Sequence, residues 1–139
     1  MILSTAMLCI ALNIYHEARS EPIAGQHAVA QVTMNRAGRD PNKVCDVVFQ
    51  PHQFSWANPL TTVSKLERAR RAQKFVPKES AAWNMARTIA FHTVQGNVQD
   101  FTKGATFYHT TSVRPFWRKS LERVFIAGVG RHLFYRNIA

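Results

Sequence analysis

Asn13-Ile14-Tyr15-His16-Glu17-Ala18-Arg19-Ser20-Glu21-Pro22 is the stretch where an apolar helix is about to stop and a carboxylate stands at its end. No charged residue occurs from Ile2 to Tyr15. Ser4 or Thr5 can cap the helix, and Leu8, Leu12 and Tyr15 fall at helical spacing, so it is expected to reach about Ala18. Pro22 then holds Glu21 extended, which stops helix one from running straight on. Glu17 and Glu21 are four residues apart, but this break argues against their stacking on one helix face. A carboxylate at the rim of an apolar surface loses hydration, and its pKa rises toward the value a general acid needs. The chain has only eight Asp and Glu in 139 residues, and the other seven sit beside turn residues or Lys and Arg. Glu17 is the candidate catalytic residue.

Outward from this stretch, Pro22 opens a second helix to about Arg36, with Gly38 as its stop. Ala28, Val29, Val32 and Asn35 form its stripe, and Gln31 and Thr33 fall elsewhere. Asp40-Pro41-Asn42 reads as a turn and Val44–Phe49 as a short apolar element. Gln53-Phe54-Ser55-Trp56, bounded by Pro51 and Pro59, reads as a loop or edge strand. Ser64–Phe75 has helix-forming composition dominated by positive charge and should be an exposed helix, ended by Pro77. Lys78–Gly96 is the clearest long helix, burying Ala82, Met85, Ala86, Ile89, Ala90 and Val94, and Gly96-Asn97 stops it. Ala105–His109, Val124–Ile126 and Leu133–Tyr135 are short β-branched and aromatic runs that suggest a small antiparallel sheet. The fold class is α+β, mainly helical.

The length suits one domain over residues 1–139, with no repeat or linker and so no second module to assign. The apolar run at the N-terminus has no Lys or Arg before it and no small-residue cleavage site after it, so it reads as a buried helix and not as an export signal. At about eleven residues it is too short to span a bilayer, which needs roughly 20. Lys plus Arg number 18 against 8 acids, a net charge of +10. Such a surface accumulates near polyanions: nucleic acid, anionic lipid or an acidic envelope polymer. No recognition helix or aromatic RNA-binding motif accompanies the charge, so no specific nucleic-acid partner is expected. A basic nucleic-acid- or membrane-binding protein is the rival of a different class. Cys9 and Cys45 read first as two buried thiols in a reducing compartment, with a disulfide as the alternative.

Most catalytic schemes lack their parts. His16-Glu17 begins like a His-Glu-x-x-His zinc site, but Ser20 stands where the second His belongs, so no metal or other cofactor is expected. There is no Gly-x-Ser-x-Gly turn and no Gly-rich phosphate loop. A glycosidase fits better, since it needs one protonated carboxyl at the leaving oxygen and usually a second carboxylate. Glu21 is the only nearby acid for that second role, which would make a two-carboxyl hydrolase. Without it, a substrate hydroxyl can attack the anomeric carbon and one carboxyl suffices. Gln53 and Ser55, beside Phe54 and Trp56, suit a sugar-binding cleft. His109 and His132 read as structural hydrogen-bonders, Asn35-Arg36 as a tie between helix two and the Glu17 region, and Trp117 as a core residue.

Tyr15–Pro22, Gly25-Gln26, Ala28-Val29-Ala30 and Asn35-Arg36 together resemble the opening of the SleB-type cell-wall hydrolases, a family that includes spore cortex-lytic enzymes and phage endolysins. The resemblance continues through Val44–Gln50, Gln53-Phe54-Ser55, Gly104–His109 and Gly130–Tyr135, in the family's order. It implies a lysozyme-like domain that cleaves peptidoglycan between N-acetylmuramic acid and N-acetylglucosamine. The family's acid falls on Glu17, and its chemistry is that of lytic transglycosylases with a 1,6-anhydro product. Substrate-binding positions then fall on Glu21, Gln53, Phe54, Ser55, Tyr108 and His109, with Tyr108 near the reaction centre. Two departures from the spore enzymes, no separate wall-binding module and no export signal, fit a monomeric phage endolysin, made in the host cytoplasm and acting on the wall in the periplasm. It would be released by a holin-type partner and held on anionic envelope polymers by its charge.

Overall fold

In the computed structural model, which describes residues 4–50 and 53–138, the Ser4 hydroxyl accepts from the Met7 N–H and starts α1 (Thr5–Ala18). Ile2 at the start of the apolar run and Pro51 at the edge of the aromatic loop lie outside the described residues. α1 is the central post of the helical part. Ile10, Ala11, Leu12 and Ile14 are fully buried, and α1 packs on α2 (Ile23–Arg36), α3 (Val44–Val48) and α5 (Ala81–Gln95). A helix without charge through its first three turns can be enclosed in this way because no desolvated ion has to be compensated.

α2 is enclosed more completely than its stripe suggests. Gln31 and Thr33, expected off the buried face, are both buried. α1, α3, α5 and the sheet surround this helix, so polar groups go inside and find partners there. The Gln31 side-chain oxygen accepts from Arg39, and the Thr33 hydroxyl donates to the Val29 carbonyl. The Asp40 turn is a 3-10 turn, Pro41–Lys43, capped by the Asp40 carboxylate. The aromatic stretch is not an edge strand. It is a loop entering a 3-10 helix, Ser55–Leu60, with Pro59 inside it. α4 (Lys65–Ala72) is the exposed basic helix, continued by a 3-10 turn, Gln73–Phe75. α5 starts later than its composition implies, because Ser80 caps it through the Trp83 N–H, and it ends at Gly96 in the left-handed region. It buries Trp83 and Thr93, while Ala82, Met85 and Val94 are only partly covered.

The three strands are β1 (Phe107–Thr110), β2 (Leu121–Val124) and β3 (His132–Asn137), antiparallel in the order β1-β3-β2. β2 lies earlier than expected and shares only Val124 with the run Val124–Ile126. The pairing explains the shift: Glu122 stands opposite Arg136 and Val124 opposite Phe134, after which the chain leaves the sheet. Tyr108, Phe134 and Val124 face the helices, while Phe107, Tyr135 and Arg123 face the other way. A large core surrounds α1, and a smaller one of Ala28, Val32, Ala105, Val124, Val129 and Phe134 lies under the sheet. Tyr108 packs against both.

A disulfide joins Cys9 to Cys45, which corrects the reading of two free thiols. Cys9 on α1 faces Cys45 on α3 at a Cα–Cα distance of 5.4 Å, within the bridging range. Spacing along the chain carries no information on that approach.

Candidate active site

Glu17 sits in the last turn of α1, half-buried, where the helix leaves the core. Burial raises its carboxyl pKa from 4.5 to about 7, and no neighbouring charge contributes to the rise. No ion pair neutralises it among the described residues. It is therefore held as a proton donor near neutral pH by loss of water alone.

One turn earlier on the same helix face, Asn13 is buried and polar, and it organises the wall around Glu17. Its side-chain oxygen accepts from the Trp56 indole N–H at 3.0 Å, and its amide N–H donates to the Tyr108 hydroxyl at 3.4 Å. Helix α1, the 3-10 helix after the aromatic loop, and strand β1 thus meet at one amide. His16 stacks on Trp56 with ring centroids 4.8 Å apart and donates to the Phe75 carbonyl. Burial lowers the His16 pKa, so the ring beside Glu17 is neutral at pH 7. Tyr108 lies within electrostatic reach of Glu17, and burial holds its phenol well above its ordinary pKa. It is a neutral hydroxyl within electrostatic reach of Glu17.

Asn13, Trp56 and His16 were not among the residues proposed from sequence. An uncharged polar residue one turn before Glu17 was a visible signal for Asn13. Its partners lie 43 and 95 residues away and were not.

The other sequence candidates divide. Phe54 is only 4% exposed and stacks on Tyr108 at 6.0 Å, so it backs the tyrosine and does not meet a substrate. Gln53 is half-buried and Ser55 exposed, both in the loop leading to Trp56. His109 is buried on the outer sheet face. Its Nδ1–H donates to the Thr110 carbonyl, and its Nε2 accepts from the Tyr135 hydroxyl. With both nitrogens engaged, it braces the sheet. Trp117 is 37% exposed over Phe107, His109 and Tyr135, and so is not the core residue expected.

Glu21 does not join Glu17. It lies in the turn between α1 and α2 with a side chain only 5% exposed, and its carboxylate accepts from both the backbone N–H and the guanidinium Nε of Arg131. His132 Nδ1 stands 3.7 Å from the same carboxylate. This corner is tight. A Cβ at Gly130, whose φ is +83°, would collide with Glu21 and Pro22, and a Cβ at Gly25 would collide with the Val129 carbonyl. Glu21 thus locks the start of α2 to the β2–β3 connection. Asn35 and Arg36 tie α2 to the segment leading into β1, where the expectation had placed the tie at the Glu17 region: Asn35 donates to Asp100, Thr102 and the Ala105 carbonyl, and Arg36 to the Thr106 carbonyl.

Comparison with known proteins adds to this geometry. The sequence profile of the Cell Wall Hydrolase family matches residues 20–135. The chain belongs to that family. This cell wall hydrolase is 32% identical over 129 residues to the spore cortex-lytic enzyme of Halalkalibacterium halodurans, covering 90% of this chain and 33% of that protein. It is 44% identical over 48 residues to the spore cortex-lytic enzyme of Bacillus subtilis, covering 33% of this chain and 16% of that protein. The hydrolase therefore spans a third or less of the curated relatives it matches.

Its fold is that of SleB catalytic domains. The catalytic domain of the germination-specific lytic transglycosylase SleB from Bacillus anthracis superposes with a TM-score of 0.68 at 23% identity, covering 97% of both chains. The Bacillus cereus SleB catalytic domain gives 0.66 at 23% identity, covering 98% of this chain and 93% of that one. The chain is an enzyme of this family.

Proposed function

We propose that this hydrolase cleaves the glycosidic bond between N-acetylmuramic acid and N-acetylglucosamine in peptidoglycan, as a lytic transglycosylase with Glu17 as its acid and base. The carrying observation is that Glu17 is protonated near pH 7 through burial alone, with no second carboxylate acting on it. Glycosidases that use two carboxyls hold them about 5–5.5 Å apart when retaining and about 6.5–9.5 Å apart when inverting. A charged carboxylate at the shorter spacing would raise the Glu17 pKa by like-charge repulsion, and none contributes. Glu21, the second carboxylate of a hydrolytic muramidase, is held by Arg131 in the α1–α2 turn.

In the reaction, Glu17 donates its proton to the glycosidic oxygen as the bond to the muramyl anomeric carbon breaks. The resulting carboxylate then takes the proton of the muramyl C6 hydroxyl as that oxygen attacks the same carbon. The 1,6-anhydro ring closes, no water is consumed, and Glu17 ends protonated as it began. Tyr108, a neutral buried hydroxyl, orients the Glu17 carboxyl or the substrate's N-acetyl group.

The biological setting belongs to the same proposal: a monomeric phage endolysin, made in the host cytoplasm and passed by a holin-type partner to the periplasm. The Cys9–Cys45 disulfide suits an oxidising compartment, and the net charge of +10 suits retention on anionic envelope polymers. The test is clearing of purified sacculi by wild type beside Glu17→Gln, which keeps size and polarity but cannot shuttle a proton. Wild type should clear and the variant should lose at least a thousandfold in rate. An undiminished rate in the variant would overturn the assignment.

A further inference from the structure

A cavity of about 660 Å³ opens where the C-terminus of α2 meets α3 and β1, with Arg36, Lys43, Gln50, Thr106, Phe107 and Asn137 on its walls. Arg36 is half-buried, and all of its partners are neutral: the Thr106 carbonyl at 3.0 Å, the Gln50 side-chain oxygen at 3.0 Å, and the Phe107 ring face 4.8 Å from the guanidinium carbon. Neither Arg36 nor Lys43 pairs with a carboxylate among the described residues. The Asp46 carboxylate, also on the cavity wall, is already bound by Arg68 at 2.9 Å and Lys65 at 3.5 Å. The cavity's one carboxylate is thus engaged by two cations of α4, and Arg36 and Lys43 are left without a counter-charge among the described residues. Partial burial already depresses the Arg36 pKa, so the site favours an anion from outside.

Its position relates it to the reaction centre. Phe107 precedes Tyr108 on β1, and both Arg36 and Glu17 act electrostatically on the Tyr108 hydroxyl. Tyr108 thus lies within electrostatic reach of both Glu17 and the cavity's Arg36, although Phe107 and Tyr108 point to opposite faces of the sheet. The glycan itself supplies no anion, because the muramyl lactyl carboxyl is consumed in the amide to the peptide. Free carboxylates belong to the peptide stem. We infer that this cavity binds a free carboxylate of the stem peptide carried by the muramic acid at Glu17. The assignment rests on the peptidoglycan reading and makes the enzyme a reader of peptide as well as glycan.

The probe is muramyl dipeptide with a free terminal carboxylate, titrated by NMR against the same compound with that carboxylate amidated. The acid should bind at least tenfold tighter at low salt, and Lys43→Gln and Arg36→Gln should each erase most of that difference. Lys43 is exposed, so its variant carries the test even where Arg36→Gln disturbs the α2–β1 tie. Equal binding of acid and amide, no binding of either, or discrimination that survives both substitutions would overturn the inference. So would inorganic phosphate displacing the acid at equal concentration, which would mark a site for phosphate polymers. Sacculus clearing that depends on Glu17 is read separately, so a failure here is distinct from a failure of the peptidoglycan assignment.

Discussion

At the scale of the residue, Glu17 joins two demands that usually oppose each other. It must be buried enough to keep a proton near pH 7 and exposed enough to reach a glycosidic oxygen. The last turn of an apolar helix meets both, and that position was legible because so little acid competes with it. In the proposed mechanism Glu17 acts first as an acid, so kcat/KM should be flat below pH 7 and fall tenfold per unit above about 7, following its raised pKa. A bell with an acidic limb near pH 4 would instead report a second essential carboxylate. Asn13 was less legible, because a buried amide acquires meaning only from Trp56 and Tyr108, which the fold brings to it. Asn13→Ala leaves the indole N–H and the phenol without this partner, so it should cost about 1–3 kcal/mol in denaturant unfolding. It should also lower kcat/KM about tenfold while leaving the shape of the pH profile unchanged.

At the scale of the element, sequence reading succeeded where local chemistry decides and failed where a neighbour does. Ser4, Pro22 and Gly96 mark helix boundaries by their own hydrogen bonds and dihedrals, and α1, α2 and α5 end where these residues imply. The start of α5 was misjudged because Ser80, not the Pro77 break, supplies its cap. β2 was misplaced because hydrophobic runs favour Phe125-Ile126, whereas register follows the pairing of Glu122 with Arg136 on β3. Gln31 was placed outside because a stripe argument assumes one wet face, and α2 has almost none. The disulfide belongs to this scale too. It ties α1, which carries Glu17, to α3 across 36 residues, and a loop of that size stabilises by about 3–4 kcal/mol on the chain-entropy account. Cys45→Ala should therefore lower the melting temperature by roughly ten degrees, as calorimetry would register. The same loss should follow reduction of the wild type.

At the scale of the whole molecule, two cores meet at Tyr108, and the end of α1 that carries Glu17 lies within electrostatic reach of it. Rigid elements from both cores therefore hold the wall around Glu17, with Asn13 as their common hydrogen-bonding partner. Acid scarcity has a global consequence as well. Most carboxylates are tied into ion pairs or turns, which leaves a strongly basic surface, the one proposed to be retained on an anionic wall. Retention on sacculi should accordingly weaken at least tenfold between 50 and 300 mM salt in a pull-down, because surface attraction of this kind is screened. Cleavage of short soluble fragments should change much less. Peptidoglycan cleavage by one carboxyl, used as acid and then as base, is the central claim. Mass spectrometry of the soluble products from purified sacculi tests it most directly. The account predicts muropeptides ending in 1,6-anhydro-muramic acid, about 18 Da lighter than hydrolytic products by the missing water, and none with Glu17→Gln. Products bearing only reducing muramic ends would contradict it.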